Sequence, residues 1–161
     1  GDPSALLDKN KEFLYVYYSI YEGQLDEQGV AVARIPWDQR DQPEAVLLGT
    51  PLWPTTRLWN SATPDAFWGA SLHYNNYLEQ YVIVVNQVKN AAFESEGFFV
   101  SYSPELDLSR PWSAPQLLLK TGDWYPQVLG IEPGQGTDKL AGKKARFFTH
   151  TFSEYEIEFE K

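Results

Sequence analysis

The sequence repeats itself at a fixed spacing, and this repeat constrains the fold more than any other feature of the chain. A shift of 68 residues places Phe13 on Tyr81 and aligns FLYVYYS with YVIVVNQ. The same shift places Gly29 on Gly97 and aligns GVAVAR with GFFVSY. Two consecutive segments that align at one shift indicate that a whole unit of structure is repeated, and not a single motif.

A second shift, of 56 residues, places Trp68 on Trp124 and aligns WGASL with WYPQV. A short leucine-rich segment follows two of the Gly-led segments, as AVLLG at 45–49 and QLLLK at 116–120. All of these segments are short, rich in β-branched and aromatic residues, and bounded by Gly, Pro, Asn or Asp, which is typical of strands. The repeated unit is therefore a strand that opens on Trp, a long apolar strand, a strand led by Gly and a short Leu-rich strand.

Four antiparallel strands in each unit of about 40–70 residues form the pattern of a β-propeller blade. No segment shows a 3.6-residue spacing long enough to predict a helix. The sequence therefore predicts an all-β chain made of propeller blades, each an antiparallel four-stranded sheet. A β-sandwich is the alternative, but a sandwich gives no reason for strands to repeat in one register.

Residues 1–161 are expected to form a single domain with blade-like units at about 1–49, 66–120 and 124–160. Propellers usually close with about 4–8 blades, so three units predict an incomplete ring. A shift of 68 from Trp68 falls before residue 1, so the first unit is expected to lack its opening strand. We therefore expect the C-terminal part of a longer protein, which would self-associate through its uncovered faces.

Charge and composition exclude several kinds of partner. The formal net charge of −9 would repel nucleic acid and anionic membranes. No apolar run approaches the roughly 20 residues that a membrane-spanning helix needs. The chain has no cysteine, so it has neither a disulfide framework nor a thiolate metal site. The aromatic content of 16% instead suggests aromatic faces that could contact a ligand.

The two visible opening strands, WGASLHYN at 68–75 and WYPQVLG at 124–130, are where we expect a site. Side chains alternate between faces along a strand, and the first strand of a blade lines the central channel. One face of the first segment is apolar and the other is polar, so the polar face is expected to reach a water-filled channel. The candidate substrate contacts on or beside these strands are Trp68, Ser71, Asn75, Trp124, Tyr125 and Gln127, and His73 is a candidate catalytic residue. Trp53 and Trp59 lie in or beside loops, where an aromatic face is expected to be exposed for stacking.

These candidates also have simpler interpretations. Ser71 and Asn75 could be solvated or water-bridged filler, and the tryptophans could be packing between blades. His73 is one of two histidines in the chain and could act as a ligand, an acid or a metal contact.

The chain resembles the five-bladed propeller glycoside hydrolases of the arabinanase, xylosidase and invertase type. The segments that carry the resemblance are YVYYSIYEG…GVAVAR, WGASLHYN, EGFFVSYSPELDLSRPWSAPQLLL and DWYPQVLG. They repeat an aromatic second strand and a third strand that ends in Ser, followed by a turn and a Trp-x-x-Pro segment, here Ser103 through Trp112 to Pro115. The resemblance implies about three blades of an incomplete five-bladed propeller. Sialidase-type propellers share a similar turn and remain as relatives.

The resemblance also implies that carboxylates near the channel mouth carry the chemistry. Glycoside hydrolysis needs one charged and one protonated carboxyl group on opposite sides of the sugar. The family's first carboxylate comes from an early blade, which is expected to be missing here. The candidates in this chain are Asp65 and Asp123, each just before an opening strand, although both could be turn residues. Arg146 could hold a sugar hydroxyl or form a structural ion pair.

The predicted function is a glycoside hydrolase-like propeller that binds, and could hydrolyse, an oligo- or polysaccharide at the channel mouth. A non-catalytic carbohydrate-binding or protein-interaction propeller is the alternative. No cofactor is expected, although a divalent cation such as calcium in the channel is an alternative, and no metal ligand is assigned. The expected location is secreted or periplasmic.

Overall fold

The computed structural model describes residues 1–42, 44, 46–51, 66–107, 110, 112–150 and 152–161. The first sheet contains β1 (Ser4–Leu7), β2 (Phe13–Ile20), β3 (Gly29–Pro36) and β4 (Leu47–Pro51). The second contains β5 (Ala66–Asn75), β6 (Gln80–Val88), β7 (Ser95–Ser103), β8 (Gln116–Leu119) and β10 (Leu140–Ala141). The third contains β9 (Gln127–Gly130), β11 (Lys144–Thr149) and β12 (Phe152–Glu158).

Apart from β10, the strands of each sheet form an antiparallel meander that follows the chain, and this confirms the predicted class of all-β propeller blades. The strand orders are β1-β2-β3-β4, β10-β5-β6-β7-β8 and β12-β11-β9. The helices of the described part are two short 3-10 helices, Leu25–Glu27 and Trp37–Gln39. The structure adds one strand that the repeat does not predict, since β10 pairs in parallel with the inner edge of β5.

The second sheet is buried on both faces. One face packs with the first sheet in a core that includes Tyr17, Val30 and Leu72. The other face packs with the third sheet in a core that includes Val82 and Phe147. The second sheet is thus the middle layer of three, and neither of its faces is available to line a channel.

A serine hydroxyl connects each opening strand to the next. The Oγ of Ser4 in β1 accepts a hydrogen bond from the backbone N–H of Leu72 in β5, at 3.1 Å. The Oγ of Ser71 in β5 accepts one from the backbone N–H of Val128 in β9, at 3.3 Å. These bonds satisfy backbone donors that would otherwise be unpaired between sheets.

Two expectations about the chain's uncovered parts are wrong. The first unit does have an opening strand, because β1 pairs with β2 over four residues. Four apolar side chains are expected to be partly exposed by missing blades: Trp68, Ala70, Leu72 and Val128. Neighbouring sheets instead bury Ala70, Leu72 and Val128, and Trp68 is the one of the four that is partly exposed.

Candidate functional site

A cleft of about 680 Å³ lies at one end of the three sheets. In an antiparallel meander the start of the first strand and the loop between the second and third strands lie at the same end. The cleft is built from these two kinds of segment in all three sheets. Its lining residues are Asp2, Tyr21, Gln28, Trp68, Gly69, Asn86, Phe93, Trp124, Tyr125 and His150.

Trp68 lies at the centre of an aromatic cluster in this cleft. Its ring contacts Tyr21 edge-on at 4.9 Å and Phe93 at 5.6 Å between centroids. It also stacks on Trp124 at 5.9 Å with 30° between the ring planes. Tyr21 and Phe93 are about half-exposed, so the cluster presents aromatic surface to solvent. Such surface can stack against the apolar face of a ligand while polar edges remain in water.

A bulge in β5 brings Trp68 to this position. The pairing of β5 with β6 shifts by one residue between Trp68 and Ser71, and Gly69 there has a φ of +65°. A bulge re-aims the side chains next to it. Glycine adopts this left-handed conformation without the steric cost that a Cβ would bring.

Asp123 provides a carboxylate beside the cleft. Its Oδ2 accepts a hydrogen bond from the Thr149 hydroxyl at 3.2 Å, and its Oδ1 lies 3.9 Å from Nδ1 of His150. Asp123 and His150 are both about half-exposed. The His150 ring in turn contacts Tyr125 edge-on at 5.6 Å. The arrangement holds an accessible carboxylate, an imidazole and an exposed phenol next to one another.

Asp2 provides a second carboxylate, from the start of the first sheet. It lines the cleft and accepts a hydrogen bond from the Tyr21 hydroxyl. Partial burial, followed by the hydrogen bond to Asp2, raises the pKa of Tyr21 to about 12. Tyr21 is therefore a neutral hydrogen-bond donor at physiological pH.

Backbone strain is concentrated at this end of the molecule. Among the described residues, six that are not glycine have a positive φ, and four of them line the cleft. These four are Asp2 (50°), Phe93 (59°), Tyr125 (60°) and His150 (46°). A bulky side chain in this region is uncommon and unfavourable, and such strain often marks functional sites.

A second cleft, of about 600 Å³, continues from the first. It shares Tyr125 and His150 with the first cleft and adds Gln127, Leu129 and Phe148 from the outer face of the third sheet. The two clefts together form an open path from Trp68 to Phe148. A path of this kind suits an extended ligand better than a compact one.

The structure brings some of the predicted site residues together. Trp68, Trp124 and Tyr125 line the first cleft, and Gln127 lines the second. Asp123 lies beside them through its contacts with Thr149 and His150. Arg146 is exposed on the outer face of the third sheet, opposite Leu129 and Glu156, and lines neither cleft.

The expectation that Ser71, His73 and Asn75 reach solvent is wrong, because the third sheet and β10 cover this face of β5. Ser71 is bonded to β9, and the Asn75 amide donates to the carbonyl of Gly142 at 2.9 Å. His73 is fully buried, and neither ring nitrogen has a hydrogen-bond partner among the described residues. Its ring lies against Phe159, and burial lowers its pKa to about 3. These three side chains fill an interface between sheets.

Three other candidates lie outside the described residues. Asp65 is one, and the loop aromatics Trp53 and Trp59 are the others. No group of three or more His, Asp or Glu side chains is placed to hold a metal ion in the part of the chain that the structure describes. Within the same ranges, no helix has the length and apolar character needed to cross a bilayer.

Sequence reasoning missed seven residues of the cleft: Asp2, Tyr21, Gln28, Gly69, Asn86, Phe93 and His150. A signal for some of them is present in the repeat. Tyr21, Phe93 and His150 all lie in loops between the second and third strands of a unit, which return to the end where the opening strands begin. Aromatic and histidine residues in those loops are therefore expected beside the opening tryptophans.

The fold is similar to that of a solved enzyme. The crystal structure of endo-arabinase from Bacteroides thetaiotaomicron VPI-5482 matches with a TM-score of 0.56 and 12% sequence identity, over 97% of this chain and 54% of that chain. The chain thus spans about half the length of that endo-arabinase. At this identity the likeness shows a shared propeller-type fold and no more. No protein-family model and no curated protein matches the sequence.

Proposed function

We propose that the cleft binds an oligosaccharide, and that the chain is part of a glycoside hydrolase-like propeller. The observation that carries this proposal is the exposed aromatic cluster around Trp68 at the end where all three opening strands begin. Sugar rings have apolar C–H faces that stack on aromatic rings, and hydroxyl edges that hydrogen bond to groups at the rim. Because the fold is similar to that of an endo-arabinase, arabinose-containing oligosaccharides are the first ligands to test.

In this proposal the residues have separate roles. Trp68, Trp124 and Phe93 provide the stacking surface, and Tyr125 extends that surface into the second cleft. Asp123 is the candidate carboxylate for acid–base chemistry, because its side chain is accessible and held in place by Thr149. Asp2 is the second carboxylate at the same end, which a two-carboxylate hydrolysis requires.

Binding is tested by titrating arabino-oligosaccharides of increasing length while following tryptophan fluorescence. We expect quenching or a spectral shift, with an affinity that rises with chain length as the ligand reaches the second cleft. Phe93→Ala should weaken binding by about tenfold, which corresponds to about 1.4 kcal/mol. The control is Trp37→Ala, which removes an exposed aromatic from the loop after β3, at the opposite end. Equal losses in the two variants, or no response to any oligosaccharide, would contradict the proposal.

Hydrolysis is tested separately, with Asp123→Asn as the decisive variant. The substitution keeps the shape of the side chain and removes the ionisable group. If the chain is catalytic, product release from oligosaccharides should fall by at least about a hundredfold while binding is retained.

Non-catalytic carbohydrate binding is the second candidate, since both cleft carboxylates already accept hydrogen bonds from side-chain hydroxyls of the protein. Binding without product release by the unmodified chain would select that candidate. A carbohydrate ligand also fits the predicted secreted or periplasmic location, which cell fractionation would test.

A further inference from the structure

We propose that Asn86 is a positioning residue that fixes the wall of the cleft formed by Asp123, Trp124 and Tyr125. The inference rests on the proposed function for its effect on ligand affinity, while its structural part is independent of any ligand. Asn86 lies in β6, is fully buried, and was not among the residues that the sequence singled out.

The side-chain amide of Asn86 bonds to the wall on both sides of Trp124. Its Nδ2 donates to the backbone carbonyl of Asp123 at 3.0 Å and to Oγ of Ser95 at 3.3 Å. Its Oδ1 accepts from the backbone N–H of Tyr125 at 3.1 Å. In a sheet, a neighbouring strand would bond to these two groups, the carbonyl of Asp123 and the N–H of Tyr125. The side-chain amide of Asn86 therefore takes the place of backbone hydrogen bonds from a neighbouring strand.

The wall segment needs such a replacement because it lies before β9. That strand starts at Gln127, and Pro126 has no N–H to donate. On its other side the segment is tied by the backbone N–H of His150, which donates to the Trp124 carbonyl at 3.2 Å. The wall segment is thus hydrogen bonded to the second sheet through Asn86 and to the third sheet through His150.

Asn86 and Trp68 both contact the wall segment, and they do so from neighbouring positions in the second sheet. They are cross-strand partners in the pairing of β5 with β6. Trp68 stacks on the Trp124 ring while Asn86 holds the backbone on either side of it. The stacking geometry of the two tryptophans, and with it the shape of the aromatic surface, depends on the amide.

Gly69 lies beside this contact, and its backbone conformation is what favours glycine there. A Cβ at position 69 would lie 3.4 Å from Oδ1 of Asn86 and 3.8 Å from Cδ of Pro126, which are ordinary van der Waals distances. The φ of +65° is in the left-handed region, which glycine adopts without the steric cost of a Cβ. The bulge in β5 therefore lies next to both the amide and the wall segment.

The test compares Asn86→Ala with Asn75→Ala. Asn75 is also fully buried and makes three hydrogen bonds, to the Gly142 carbonyl and to the N–H groups of Tyr77 and Leu78, but at the opposite end of β5. Each substitution leaves buried backbone groups unpaired, so both should lower the free energy of unfolding by a similar amount. Only Asn86→Ala should change the circular dichroism signal of the coupled Trp68–Trp124 pair in the absence of ligand. Only Asn86→Ala should weaken oligosaccharide binding, by about tenfold or more.

If Asn86→Ala does not fold, Asn86→Ser serves in its place, because the shorter hydroxyl keeps polarity at the site but cannot reach both backbone groups. Unchanged tryptophan coupling in the Asn86 variant, or an equal change in Asn75→Ala, would overturn the positioning role. Failure of the unmodified chain to bind any oligosaccharide would overturn the proposed function alone, since the ligand-free signal still tests the role of Asn86.

Discussion

Each end of the molecule has a buried asparagine, and the two asparagines hold different kinds of segment. At the cleft end, Asn86 bonds to a segment that presents aromatic side chains to solvent. At the opposite end, Asn75 bonds to the turn after β5 and to Gly142, and β10 covers the edge of the same strand. Similar amide chemistry thus keeps a surface open at one end and closes the sheet at the other. The exposed aromatics of the cleft are therefore held by buried hydrogen bonds and are not a gap in packing.

The largest expected effect concerns His73, which lies near the closed end. Burial lowers its pKa to about 3, so at acid pH the unfolded chain, with an ordinary histidine pKa, binds a proton that the folded chain does not. The penalty for keeping His73 neutral is therefore absent above about pH 6.5, and the free energy of unfolding falls as the pH decreases below that value. At pH 4.5 the loss from this residue should be about 3 kcal/mol.

Denaturant unfolding at pH 7 and pH 4.5 measures this loss. His73→Leu should be more stable than the unmodified chain at both values, because two unpaired ring nitrogens are removed. The free energy of unfolding of His73→Leu should also fall less between pH 7 and pH 4.5 than that of the unmodified chain. An equal fall in the two proteins would contradict the buried, neutral state of His73.

The second prediction uses positive φ angles, which occur at both ends. Phe93 (59°) and Tyr125 (60°) lie in the cleft, and Lys11 (58°) and Glu79 (59°) lie in the turns between first and second strands at the other end. Replacing Glu79 or Lys11 by Gly should raise the free energy of unfolding by up to about 1 kcal/mol, because a left-handed conformation suits Gly. Neither change should affect ligand binding.

Replacing Phe93 by Gly should instead leave stability nearly unchanged, since relief of strain is offset by loss of the contact with Trp68. It should weaken oligosaccharide binding by about tenfold. Thermal melts and fluorescence titrations on the three variants would check this. Loss of binding in the Lys11 or Glu79 variant would break the contrast between the two ends.

The smallest expected effect compares two threonines. Thr149 donates to Asp123 at the cleft, and Thr137 accepts from the N–H groups of Lys139 and Leu140 in the loop that leads into β10. Valine is close in shape to threonine but has no hydroxyl. Each Thr→Val change should cost less than about 1 kcal/mol, because the Asp123 carboxylate is about half-exposed and the hydrogen bonds of Thr137 are exposed to solvent. Only Thr149→Val should lower affinity or turnover, by a few-fold, through freer motion of Asp123.

The repeat was sufficient to predict three antiparallel sheets and the approximate start of the opening strands of the second and third sheets, but not of β1. It was not sufficient to predict which face of β5 meets solvent. Alternation gives two faces, but the identity of the covered face depends on the third sheet and on β10, a two-residue strand in a Gly-rich loop. A contact of that length leaves no periodicity in the sequence. For this reason the sequence predicts Ser71, His73 and Asn75 in a solvent-filled channel, whereas the third sheet and β10 cover them.

The candidate site was predictable in its aromatic part and not in its polar part. Trp68 and Trp124 begin aligned sequence segments, so the sequence alone predicts that they lie at one end. Asn86 lies in the apolar segment YVIVVNQ, and the partners through which it holds the cleft wall are backbone groups of residues 123 and 125. Backbone groups are present at every position, so a side chain that binds them has no sequence partner to reveal it.

The serine contacts between opening strands have a consequence for how a chain of this kind could grow. Ser4 and Ser71 each accept a hydrogen bond from a backbone N–H of the following sheet. The donor is supplied by any residue except proline. A duplicated unit would carry its own acceptor and would find a donor in whatever unit came next, without a matching mutation. Tandem duplication could therefore have added blades in a single genetic event, with side-chain complementarity between neighbouring sheets improved afterwards.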